Sequence, residues 1–126
     1  MAGYILVVDD DESMRHLLRL HLTAAGYEVE VAEDAISAGY KVLRQAPDLI
    51  ISDVHMPHMD GFEFIAAVKS DKTVPDIPVI FLTSVEEGDH RGKGLGAVGY
   101  LTKPVMADKL LRMVAQHVAG GRVPLG

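Results

Sequence analysis

The chain has 126 residues, 48% hydrophobic and 24% charged, the size and make-up of one globular domain. Its formal net charge of −6 disfavours a phosphate-backbone ligand, so direct nucleic-acid binding is not expected. The absence of cysteine excludes a disulfide framework, a thiolate zinc site and a thiol nucleophile.

In chain order, the first element is an apolar run, Tyr4-Ile5-Leu6-Val7-Val8, that stops abruptly at Asp9-Asp10-Asp11. Met14, Leu17, Leu18, Leu22 and Ala25 then share one helical face, and Gly26 is placed to end that helix. Glu28 to Ala32 alternates polar and apolar residues, as a strand near a sheet edge does. Asp34 can cap a helix over Ile36 to Gln45, which Gly39 weakens and Pro47 follows. Asp48 to Asp53 and Pro78 to Thr83 repeat the shape of the first run, and Phe62 to Lys69 between them reads as a helix. Gly99 to Thr102 is a fainter strand. Met106, Leu110, Val114 and His117 mark a last helix, broken by Gly120-Gly121. The stretch Ser84 to Val98 carries Gly88, Gly92, Gly94 and Gly96, each costing about 1 kcal/mol inside a helix, so only a short, poorly formed helix is expected there. Glu86 to Gly96 is expected to be the most mobile internal segment, with Glu86, Glu87 and Asp89 facing solvent.

Strands that are apolar throughout, alternating with helices, imply right-handed crossovers and a parallel sheet covered on both faces. In such sheets the reactive crevice lies beyond the carboxyl ends of the strands. Asp9 and Asp10, Asp53, Thr83 and Lys103-Pro104 all fall at that edge. A single strand-end aspartate is most simply a turn former or a helix N-cap. Three acids, a threonine and a lysine at one edge are a site. Its donors are oxygens only, which favours a hard cation such as Mg²⁺ over zinc. The six histidines form no metal motif; His55 and His58 merely flank the acidic edge.

These pieces, with Pro47 to Gly61 and Pro78 to Ser84 complete and Gly99-Tyr100-Leu101-Thr102-Lys103-Pro104 in the same order, resemble the receiver domain of two-component response regulators, of the chemotaxis-regulator kind. The likeness runs from about Tyr4 to Val118. It implies an α/β, flavodoxin-like, doubly wound five-stranded parallel sheet in order 2-1-3-4-5 with five helices, the fourth short or irregular. Residues 1–119 would be the receiver and 120–126 a flexible tail or linker stub. By the same resemblance Asp53 is the phosphoacceptor. Mg²⁺ is held by Asp10, Asp53 and the backbone carbonyl of His55, with Asp9 reaching it through water. Thr83 and Lys103 contact the phosphoryl oxygens, Pro104 occupies a cis-proline position, and Tyr100 is the switch aromatic that follows Thr83.

The implied function is a signalling switch rather than a turnover enzyme: it assists its own phosphorylation and dephosphorylation. Its partners would be a histidine kinase or phosphotransfer protein and a downstream effector, with a phosphorylation-dependent dimer as a further form. A cytoplasmic setting without membrane contact is expected. The stretch from Thr83 to Lys103 is slightly shorter than the family's usual spacing, so the common dimer or partner mode does not carry over automatically. Two other classes stay open on the residues alone. A metal-dependent phosphohydrolase shares the aspartyl chemistry but would carry a second acid where His55 stands. A pseudo-receiver acting only as a binding surface would have no need of the complete set of acids.

Overall fold

The fold comes from a computed structural model that describes residues 3–84 and 95–118. Five strands form one parallel sheet: β1 (Tyr4–Val8), β2 (Glu28–Ala32), β3 (Leu49–Asp53), β4 (Val79–Thr83) and β5 (Ala97–Thr102), in the order β2-β1-β3-β4-β5. The described helices are α1 (Glu12–Ala24), α2 (Ala35–Arg44), α3 (Gly61–Ser70) and α4 (Ala107–Ala115). The sheet order expected from the sequence is the observed one.

The uninterrupted apolar runs become the three central strands because both of their faces are covered. Period-two alternation sends Leu6, Val8, Ile50, Val79 and Phe81 to the side packed by α2 and α3. Ile5, Val7, Leu49, Ile51, Ile80 and Leu82 go to the side packed by α1 and α4. The alternating segment, β2, lies at one edge of the sheet, as its half-polar pattern requires.

Local signals set the helix ends. Asp11 caps α1 by accepting from Ser13 N, and Gly26, at φ 101°, reverses the chain after it. Asp34 accepts from Ser37 N at 2.8 Å at the start of α2. Asp60 and Glu63 form a reciprocal capping box on α3, at 2.8 and 3.2 Å.

Several boundaries differ from the sequence reading. β5 begins at Ala97 rather than Gly99, because Val79 pairs with Ala97 while Ile80 pairs with Gly99, leaving Val98 as the extra residue of a bulge. Leu17, placed on the inner stripe of α1 by periodicity, is 38% exposed; Leu18 and Leu22 carry that packing. The last helix stops at Ala115, so His117 is an exposed residue beyond it, while Val118 remains buried. The expected irregular helix between Ser84 and Val98, the expected mobility of 86–96, the acidic face at Glu86, Glu87 and Asp89, and the tail 120–126 lie wholly or mainly outside the described residues.

Candidate functional site

The strand register brings the sequence-picked residues to one end of the sheet. Val8 pairs with Ser52, so Asp9 and Asp53 follow side by side on adjacent strands. Asp53 in turn pairs with Leu82, and Thr83 pairs with Thr102, which puts Thr83 and Lys103 one step further along. The Lys103 N–H donates to the Thr83 carbonyl at 2.8 Å and ties the β5 exit to the end of β4. Asp9, Asp53 and Thr83 are buried, whereas Asp10 is exposed.

Asp9 is wired on nearly every polar atom. Its N–H donates to the Ala32 carbonyl at 3.1 Å, and its own carbonyl accepts from Arg15 Nη1 at 2.8 Å. Its Oδ1 accepts from Asp11 N at 2.9 Å. Oδ2, buried without a hydrogen-bond partner, faces Lys103 Nζ at 3.2 Å as an ion pair. The same ammonium stands 3.3 Å from Asp53 Oδ2, while Asp53 Oδ1 accepts a long bond of 3.4 Å from His55 N. One lysine thus bridges two carboxylates.

Burial pushes the Asp9 carboxyl above its usual range, and the neighbouring Asp53 carboxylate adds to that push against the pull of Asp11 N–H and Lys103. Burial works against the charge on Lys103, yet Asp9 and Asp53 outweigh it and lift its pKa above the usual value.

Carboxylate oxygens of Asp9, Asp10 and Asp53 lie within 4.8 Å of one another. The Lys103 ammonium pairs with two of these three carboxyl groups, Asp9 and Asp53. A hard divalent cation fits the all-oxygen donor set, and the buried Asp9 Oδ2, which has the Lys103 ion pair but no hydrogen-bond partner, is a further acceptor for such an ion.

The remaining sequence-picked residues occupy supporting places. The Lys103–Pro104 peptide is cis, as the resemblance implied. Tyr100 is half-buried, its ring stacked on Phe81 with centroids 6.0 Å apart. The His55 residue is exposed at the rim, and the loop after it contains His58 at φ 71°, a conformation seldom taken by a non-glycine residue.

Two further residues escaped the residue-by-residue reading. Arg15, one turn into α1, reaches back to the Asp9 carbonyl. Gly61 opens α3 against the β3 exit: its N–H donates to Val54 O at 2.8 Å, and a Cβ there would sit 2.1 Å from the Asp53 carbonyl oxygen. An arginine six positions after a strand-end acid was a signal available for the first. The second was visible only as a member of the Pro47–Gly61 motif.

The family model described as "Response regulator receiver domain" matches residues 5–115. The chain belongs to the response regulator receiver family. This receiver is 44% identical over 107 residues to the response regulator PleD of Caulobacter vibrioides, an alignment covering 83% of this chain and 24% of PleD. It is 40% identical over 112 residues to the response regulator MprA of Mycobacterium leprae, covering 87% of this chain and 48% of MprA. It therefore spans about a quarter of the length of PleD and about half that of MprA. The solved structure of the chemotaxis response regulator CheY4 of Vibrio cholerae superposes with a TM-score of 0.86 at 38% identity, over 92% of this receiver and 98% of CheY4. Membership places this receiver in two-component signalling. Among the described residues no helix is long and apolar enough to cross a membrane.

Proposed function

We propose that this receiver accepts a phosphoryl group from a phosphohistidine donor onto Asp53 in the presence of Mg²⁺, and that the modification alters the surface around β4 and β5 to control a downstream partner. The observation that carries the reading is the carboxylate of Asp53, buried at the sheet end within 4.8 Å of Asp9 and Asp10 oxygens and 3.3 Å from the Lys103 ammonium.

In the transfer, an Asp53 oxygen attacks phosphorus, the phosphorus–nitrogen bond to the donor imidazole breaks, and its electron pair returns to the ring. The product is a mixed anhydride, labile enough to serve as a temporary mark. Asp9, Asp10, Asp53 and the His55 carbonyl would hold the Mg²⁺, whose charge offsets that of the carboxylates and the incoming oxygens. Lys103 then turns from its two carboxylates to a phosphoryl oxygen, a preplaced cation that needs little reorganisation. Thr83 donates its hydroxyl to another. Because Thr83 is bonded to the β5 exit through Lys103 N, a shift of Thr83 toward the phosphoryl group is transmitted to β5. Tyr100, stacked on Phe81 one residue before Leu82, is the aromatic that would follow.

The same reading supplies a histidine kinase or phosphotransfer protein upstream, an effector protein or domain downstream, and a cytoplasmic setting, with residues 1–119 as the receiver unit and 120–126 as a linker. Incubation with acetyl phosphate and Mg²⁺ should give an acid-labile adduct by intact-mass spectrometry, absent in Asp53→Asn. Undiminished labelling of that variant, or an unlabelled native chain, overturns the reading.

A further inference from the structure

Helix α2 carries two apolar faces. Ala35, Ala38 and Val42 are buried against the sheet. Ile36, Gly39, Tyr40 and Leu43 recur at i, i+3, i+4 and i+7 and make a second stripe that points outward. Along it Ile36, Tyr40 and Leu43 are 66%, 72% and 61% exposed. A groove of about 310 Å³ runs beside this stripe, with Phe64, Ala67 and Val68 of α3 on its far wall. Single exposed apolar residues are ordinary, but a contiguous patch with a groove in it marks a contact surface.

We propose that this face is where two copies of the chain meet, α2 packing antiparallel on α2 about a twofold axis between Gly39 and Tyr40. A twofold interface requires a patch that complements itself. This one does so in shape: Tyr40 is a projecting knob, and beside it Gly39 is a hole, since a Cβ built there meets nothing within 4 Å. Antiparallel pairing about that midpoint sets the Tyr40 ring over Gly39 of the second copy and Ile36 against Leu43. It does so in charge as well. Glu33 precedes the helix and Arg44 ends it, both exposed, and their distances from the midpoint differ by two residues, an offset of about 3 Å that two long side chains can span. Antiparallel pairing puts each glutamate near the arginine of the other copy, while parallel pairing would oppose like charges. That self-complementarity in charge argues for a second copy over an unrelated partner.

A ten-residue helix is about 15 Å long, so the contact belongs to the small, transient class, populated at high local concentration. The surface is made by α2 and the groove beside it, not by the carboxylate pocket, and the proposal stands independently of phosphoryl transfer to Asp53.

Sedimentation velocity from the micromolar to the millimolar range should show reversible dimerisation of the native chain. Gly39→Gln fills the hole while favouring the helix, so its melting temperature should hold or rise while association weakens about tenfold or more. Arg44→Glu should weaken association likewise, and Arg44→Glu combined with Glu33→Arg should recover it. Asp53→Asn should dimerise like the native chain. A native chain that stays monomeric throughout, a Gly39→Gln variant that associates normally, or a charge-swapped double variant that fails to recover overturns the proposal.

Discussion

Replacing Gly61 by alanine probes how the start of α3 is joined to the pocket. The added Cβ would lie 2.1 Å from the Asp53 carbonyl oxygen, 3.0 Å from its carbon and 3.1 Å from Val54 Cα. All three are backbone atoms, so no flexible side chain can yield. Normal contact requires the two segments to part by about 1 Å, which strains the 2.8 Å bond from Gly61 N to Val54 O. Overpacking of this kind costs about 1–3 kcal/mol, and loss of the hydrogen bond adds about 1 kcal/mol. The better helix propensity of alanine returns at most about 1 kcal/mol. A net loss of about 1–3 kcal/mol should lower the melting temperature by roughly 4–12 °C for a domain of this size. Calorimetric melts with and without Mg²⁺ check both consequences: the lower midpoint, and a smaller Mg²⁺-induced rise because Asp53 is displaced from its neighbours. A variant that melts within about 2 °C of the native chain refutes the spacer role of Gly61.

Other outcomes follow from the wiring of Asp9 and Lys103. The folded-state pKa of Asp9 is raised, so its contribution to stability is complete below the unfolded value of 3.8 and is lost as pH rises through the folded value. In metal-free buffer, urea denaturation across the acid range should show a decline with rising pH that Asp9→Asn lacks, and millimolar Mg²⁺ should stabilise the native chain by binding only its folded state. Lys103 is also raised, so its contribution persists below 10.5 and fades only above it, in the alkaline limb of the same experiment. Arg15→Ala removes the donor to the Asp9 carbonyl and should cost about 1 kcal/mol of stability and several-fold in Mg²⁺ affinity by calorimetric titration, with Arg15→Lys partly restoring both. Equal Mg²⁺ affinity in Arg15→Ala would show that the bond is not what holds Asp9 in place.

Much of this architecture was legible in the residues because the physics is local. β1, β3 and β4 could be read as continuous apolar runs since both of their faces are covered, and β2 could be read as an edge strand because only one is. The start of β5 could not, because it depends on a bulge that exists only in the pairing of Val98's neighbours with β4. Periodicity also put Leu17 and Leu18 on one stripe, whereas burial separates them, the rim of a helical face being a matter of what packs beside it. The gathering of Asp9, Asp53, Thr83 and Lys103 at one edge followed from strand ends in a parallel sheet. The relative places of Asp9 and Asp10 did not: Asp9 is the buried acid that pairs with Lys103, and Asp10 is the exposed one. The parts played by Arg15 and Gly61 are contacts to backbone atoms, which leave no imprint on hydrophobic pattern.

Both margins of the sheet resist lengthening. On one side β2 shows Glu28 and Glu30, the latter clasped by Lys41, and an incoming strand would have to lie along that acidic border. On the other, the kink at Val98 and the glycine after it spoil the straight ladder that a neighbouring strand would copy. Growth by strand addition, the usual route from a globular domain to a fibre, is therefore discouraged at either end, and crowding at high expression should not draw this chain into extended sheets.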